Sequence, residues 1–351
     1  MDFPVIDADG HIMEDDSMLD FIQHRSITVR RVGDLYPGLD FLHNDGHLHR
    51  APDAFGGGKP VGPDEWVDFL EFSGMEAAVL YPTRGLQFAN IQHPDWASLV
   101  AHAYNSWLHD RYLKRSPKFK GMALVPLQDV SEAVIELRRA VTELGMVGAM
   151  INSRGYPMDL GHPMYWPLYA EAEKLGCVIG VHGGAHHSLG IDTLGHFVPI
   201  HGLGHSFGLI IALSGMVYHG VFRQFPKLKV GFMEGGAGWV TFWMDRMERS
   251  HAYFADADYL GRYKGPTPDE DPSDYLSSGN VWVGCEGSEK GLGYQVQRAG
   301  AQHFLFASDF PHEIGKDQIK HEIEEIEERD DLTESAKSAI LAGNARTFYN
   351  F

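Results

Sequence analysis

The 351-residue chain is poor in cysteine and in positive charge. Only Cys177 and Cys285 occur, each inside an apolar run (GCVIGVH and VWVGCEG). Two isolated thiols exclude a disulfide framework and a cysteine-built zinc knuckle; they read as buried strand residues of a protein in a reducing cytoplasm. Lys and Arg total 29 against 48 Asp and Glu, a formal charge of −19 spread along the chain. That balance argues against a nucleic-acid partner or an anionic membrane surface. An anionic substrate would need local help from a metal or from residues such as Arg84 and Arg154. No uninterrupted run approaches the about 20 apolar residues of a membrane span. The start, MDFPVIDADGH, has neither a basic n-region nor an apolar h-region, so a soluble, unexported protein is expected. No G-x-G-x-x-G follows the first apolar run, which removes the main support for a doubly wound dinucleotide-binding sheet.

What is present is a 44% hydrophobic chain, long enough to bury a full core as one domain over residues 1–351. Short β-branched runs alternate with helical patterns throughout, the mark of parallel strands joined by crossover helices. Eight such runs are read: Pro4 to Ile12, Ala77 to Tyr81, Gly121 to Leu127, Gly148 to Asn152, Val178 to His182, Lys229 to Met233, Val281 to Cys285 and Phe304 to Ser308. Eight closes a (β/α)8 TIM barrel of the α/β class. SEAVIELRRAVTELG and PMYWPLYAEAEKLG carry helical periodicity and stop at Gly145 and Gly176. Three stretches exceed ordinary loop length: about Asp15 to Pro63, Gly183 to Phe207, and Tyr259 to Gly279. The first, approximately residues 15–63, is read as an insertion after strand 1 that lies over the barrel mouth and shapes the substrate pocket. Trp66 and Trp107, in helical patterns with apolar neighbours, read as core, and HEIEEIEERDD as a solvated helix face.

In a parallel barrel the site lies at the carboxyl ends of the strands, so polar residues ending apolar runs carry weight. Strand one reads PVIDADGHIME: Asp9 and His11, two apart, share a face and offer an oxygen and a nitrogen at chelating separation. His182 ends CVIGVHGG, and Asp309 follows FLFAS at the end of strand eight. A buried carboxylate is costly without a partner, and a metal is a natural one. Glu14, Glu286, and the histidines of GGAHH and HGLGH (His186, His187, His201, His205) are further candidates near the mouth. Of these, His205 is singled out as a contact to substrate or to a second ion.

VIDADGHIME, KGMALVPLQD, VHGG, FPKLKVGFMEGGAGW, LFASDFPH and ILAGNARTFY together make the chain resemble the amidohydrolase superfamily. The resemblance is closest to its amidohydrolase-2 or aminocarboxymuconate-semialdehyde-decarboxylase-like branch, and it spans almost the whole chain. It implies that Asp9, His11, His182 and Asp309 hold a divalent cation, and that two subunits pair into a homodimer. Family decarboxylases usually carry a His at the end of strand six, where this chain has Glu234. That exchange makes Glu234 either a further ligand, bridging to a second ion, or a general acid/base. The mixed O/N donors suit one or two ions of Zn, Mn or Fe(II). With the ion lowering the pKa of bound water to about 7 and Asp309 taking its proton, the residues favour hydrolysis of a small ester, thioester, amide or lactone. The alternatives are non-oxidative decarboxylation of an aromatic or unsaturated acid, and a non-catalytic ligand-binding barrel.

Overall fold

The computed structural model describes residues 3–22, 29–37, 61–184, 186, 188–191, 193–255, 265–267, 269–277, 279–312 and 314–351. Eight strands are formed: β1 Ile6–Ile12, β2 Ala77–Pro82, β3 Phe119–Leu124, β4 Gly148–Asn152, β5 Val178–His182, β6 Lys229–Met233, β7 Val281–Cys285 and β8 Phe304–Phe306. They pair in parallel in sequence order, β1 to β8. Among the described residues no ladder joins β8 back to β1. The ring is closed instead by the turn after β8: Asp309 N donates to the Asp9 carbonyl (3.0 Å) and His11 N to that of Phe310 (2.7 Å). Ser308 adds N–H and Oγ–H bonds to the Asp7 carboxylate (2.9 and 2.7 Å).

The crossovers supply α1 Pro63–Ser73, α2 Pro94–Leu108, α3 Val130–Thr142, α4 Trp166–Leu175, α5 Phe197–Tyr218, α6 Val221–Gln224, α7 Trp239–Phe254 and α8 Leu292–Ala299. After β8 come α9 Lys316–Glu327, α10 Glu334–Ser338 and α11 Asn344–Tyr349. Their ends follow local chemistry. The Asp129 side chain accepts from Ser131 N (2.9 Å) to start α3. Left-handed Gly176 (φ 68°) stops α4 immediately before β5. Strand residues of β2, β4, β5 and β7 are buried on both faces, as a sheet covered by helices requires. Trp66 and Trp107 lie in that core, and both cysteines are buried and free. Burial pushes the Cys177 thiol up to about 12. On α9, Ile319, Ile323 and Ile326 are buried, so the charged run presents an apolar stripe inward.

Two expectations about loops change. The Gly183 to Phe207 stretch is helical from Phe197 onward, because α5 runs 22 residues to Tyr218. By length and mean hydropathy α5 would suffice to cross a membrane, although His201, His205, Ser206 and Ser214 interrupt its apolar residues, so no uninterrupted apolar run of that length arises. In the barrel, 56% of its most apolar window is buried. Of the insertion, Asp16–Phe21 and Val32–Leu35 form short 3-10 helices. Most of its remainder, including residues 38–60, lies outside the described residues.

Candidate metal centre

The strand that opens the site is irregular. Its pairing with β2 steps from Asp7 opposite Ala78 to Gly10 opposite Leu80, three residues against two. Such a bulge re-aims the residues inside it, here Ala8 and Asp9. Asp9, His11 and His182 are buried and meet at the carboxyl ends of β1 and β5.

The two imidazoles are held alike. His11 Nδ1 lies 3.0 Å from the Pro82 carbonyl and His182 Nδ1 3.0 Å from that of Gly183. Each Nδ1 therefore carries the proton it donates, and each Nε2 turns a lone pair inward. His11 Nε2 is 3.6 Å from Asp9 Oδ1 and 3.4 Å from Asp309 Oδ1, and His182 Nε2 is 3.4 Å from Asp9 Oδ2. Asp9 Oδ1, His11 Nε2 and His182 Nε2 are all buried and make no hydrogen bond. Donors about 2.1 Å from a common ion stand about 3.4 Å apart around it, so the spacing fits a divalent cation, and a cation would satisfy all three.

The field points the same way. Burial works against charging His182, but Asp9, the Gly183 carbonyl and Asp309 outweigh it and lift its pKa above the ordinary imidazole value. Without an ion the site therefore favours a proton on His182 Nε2, and a cation bound there would take that proton's place and leave the lone pair to the metal. Burial, then the neighbouring His312, holds His11 well below the usual value, so it is neutral. Asp7, deeper in β1, is pushed up to about 7 by burial despite its bonds to Ser308.

Asp309 and Glu234 sit in left-handed backbone, at φ 53° and 55°. For non-glycine residues this costs about 1–3 kcal/mol and is typical of functional sites. Glu234 Oε2 lies 3.3 Å from His182 Nδ1 and 3.8 Å from His205 Nδ1. One of its carboxylate oxygens also lies within 4.8 Å of donor atoms of His11, Asp309 and His312, so Glu234 stands between the first cluster and the histidines of α5. His186 and His205 lie edge to face at 5.0 Å, and His205 and His201 at 5.1 Å. His187 is outside the described residues.

Sequence reasoning missed His312. Its Nδ1 lies 2.9 Å from Asp309 Oδ1, its Nε2 2.9 Å from Thr83 Oγ1, and its ring stacks on His11 at 4.1 Å. The signal was the H of SDFPH, three residues beyond Asp309, but no strand periodicity reaches it.

Glu14 and Glu286 do not join the site. Glu14 accepts from the backbone N–H groups of Thr83, Arg84 and Gly85 (3.2, 2.8 and 2.9 Å). With both oxygens engaged by these amides, it pins the β2 loop to β1. Glu286 is exposed. Its neighbour Glu289 instead accepts from Glu286 N and Ala237 N (3.0 and 2.8 Å) and props the turn after Glu234.

The sequence profile of the amidohydrolase family matches residues 44–351. The chain belongs to the amidohydrolase superfamily, in its amidohydrolase-2 branch. It is 28% identical over 287 residues to 2-amino-3-carboxymuconate-6-semialdehyde decarboxylase of Dictyostelium discoideum, covering 82% of this chain and 76% of that one. It is 26% identical over 267 residues to gamma-resorcylate decarboxylase of a Polaromonas species, covering 72% and 77%. In fold it matches 5-carboxyvanillate decarboxylase of Novosphingobium aromaticivorans, solved with bound manganese and 3-methoxy-4-hydroxy-5-nitrobenzoic acid. There the TM-score is 0.80 at 18% identity, over 100% of this chain and 98% of that one.

The amidohydrolase-2 chain is an enzyme with a donor set for a divalent cation, and the preference for carbonyl hydrolysis is overturned. That preference leaned on Glu234 replacing a histidine. The relatives, matched over most of their length, are carboxy-lyases, and one position at the rim of the cluster does not outweigh that likeness.

Proposed function

We propose that the protein is a metal-dependent decarboxylase of an aromatic or unsaturated carboxylic acid. Asp9, His11, His182 and Asp309 are its ligands for one Zn, Mn or Fe(II) ion. The convergence of Asp9 Oδ1, His11 Nε2 and His182 Nε2, all buried and unbonded, carries the reading, and the decarboxylase relatives support it. When bound, the cation supplies the positive charge that binds an anionic substrate and stabilises charge developing on it.

The chain's own residues supply the rest. Loss of CO2 from an arene carboxylate leaves an electron pair on the ring carbon, and a proton must arrive there: ArCO2− + H+ gives ArH + CO2. Asp309, 15% exposed, and its partner His312, 2.9 Å away, form the pair that carries that proton. Thr83 Oγ1 fixes the orientation of the His312 ring from its far side. The Pro82 and Gly183 carbonyls keep His11 and His182 with their Nε2 lone pairs inward.

The test is to incubate metal-loaded protein with dihydroxybenzoates, carboxyvanillate and aminocarboxymuconate semialdehyde in D2O. Release of CO2, with one deuterium at the vacated carbon, is expected from at least one of these acids. Absence of CO2 from every acid at full metal loading would refute the proposal.

A further inference from the structure

We propose that the chain binds a second divalent cation between His201 and His205 of α5 and Glu234 of the turn after β6. The inference extends the reading of Asp9, His11, His182 and Asp309 as ligands of the first ion. It assigns a role to three residues that this reading leaves aside.

Four residues apart on one helix, His201 and His205 project from the same face. One donor atom from each of His201, His205 and Glu234 lies within 4.8 Å of the other two. Ligands bound at about 2.1 Å stand about 3.0 to 4.2 Å apart around an ion, so small rotations of two imidazoles close the set. Two nitrogens and one carboxylate oxygen form a donor set for Zn, Mn or Fe(II).

The cluster occupies space made for it. A Cβ on Gly183 would fall 1.9 Å from His205 Nδ1, and one on Gly204 would fall 2.6 Å from His186 Nε2. The residue after the first centre's His182 and the residue before His205 therefore both lack side chains where the imidazoles pass. The helix is also tied to the carboxylate. Ser206 Oγ donates to the Gly235 carbonyl at 2.9 Å, and a Cβ on Gly235 would fall 2.5 Å from Leu209 Cδ1. Glu234 is held at the end of α5 from both sides, since Glu289 binds Ala237 N.

Edge-to-face packing of the rings, worth about 0.5–1.5 kcal/mol per pair for aromatics, would explain the histidines alone. It gives no reason for a carboxylate in left-handed backbone among them. A cation does, and Glu234, between His182 and His205, is the residue shared by the two centres.

Metal content decides the matter. Chains stripped with chelator, reloaded with Zn2+ and dialysed free of excess should retain two zinc ions in the wild type and one in His201→Ala/His205→Ala. A wild type with one ion, lost in His182→Ala and kept in the double variant, would overturn the second site and leave the first standing. A wild type with none would overturn both. Two ions in both wild type and double variant would place the second ion elsewhere. Should the double variant not fold, the manganese-loaded wild type still decides: a spin-coupled Mn2+ pair in frozen solution is expected, and an isolated-ion spectrum would refute the proposal.

Discussion

The His312 ring stands between Asp309 and Thr83, with Nδ1 2.9 Å from the carboxylate and Nε2 2.9 Å from the hydroxyl. An imidazole held at both nitrogens has one orientation available, and through it the strained Asp309 side chain is fixed beside His11. Substituting His312→Ala frees that carboxylate. Loss of such outer partners typically costs about 10–100-fold in metal affinity or activity. The same range is expected in kcat for CO2 release, with KM changed less. Unchanged turnover would show that Asp309 needs no partner.

Space is the second constraint. Because a Cβ at Gly183 would sit 1.9 Å from His205 Nδ1, Gly183→Ala must displace α5 or the end of β5. Overpacking of this kind costs about 1–3 kcal/mol. Urea denaturation should register that loss, together with reduced metal content. A variant as stable and as metal-loaded as the wild type would mean that the two elements are not in close contact.

These two cases mark what can be read from sequence. β4, β5, β6 and β7 coincide with their apolar runs, as in Val178–His182, because buried parallel strands leave a continuous apolar signature. The ends at the barrel seam do not. β8 stops at Phe306, since Ser308 turns to bind Asp7, and β1 carries a bulge that alternation along a strand does not anticipate. Asp9, His11, His182 and Asp309 were legible as polar ends of apolar runs. His312 was not, because its place depends on a turn and on Thr83, more than 200 residues away in sequence. The start of α5 was hidden by Gly202, Gly204 and Gly208, which suggest a loop; packing against the Glu234 turn makes it helix.

Glu14 provides a control on the assignment of ligands. Burial raises its pKa, and the Arg84 and Gly85 amides and the Arg84 charge pull against that rise. Glu14→Gln replaces one acceptor oxygen by a donor facing N–H groups and should cost about 1–3 kcal/mol, read from the urea midpoint. Zinc content should stay at the wild-type value. Loss of metal with stability retained would instead place Glu14 among the ligands.

Metal removal should expose the cost of the site itself. A cation binding only the folded state at 100 times its dissociation constant adds about 2.7 kcal/mol. At about 2 °C per kcal/mol for a chain of this size, chelation should lower the melting temperature by about 5 °C. His182→Ala should lack most of that difference. Asp9→Asn separates attraction from burial, because Asp9 is 1% exposed and its Oδ1 has no hydrogen bond. Without an ion the carboxylate keeps His182 as its partner at 3.4 Å, so the amide should melt slightly below the wild type when both are metal-free. It should fall further below the wild type when both are loaded, having lost a charged donor to the ion as well. If Asp9→Asn instead lowered both melting temperatures equally, the Asp9 carboxylate would be serving the fold and not the ion, and the four-residue cation site would lose its central member.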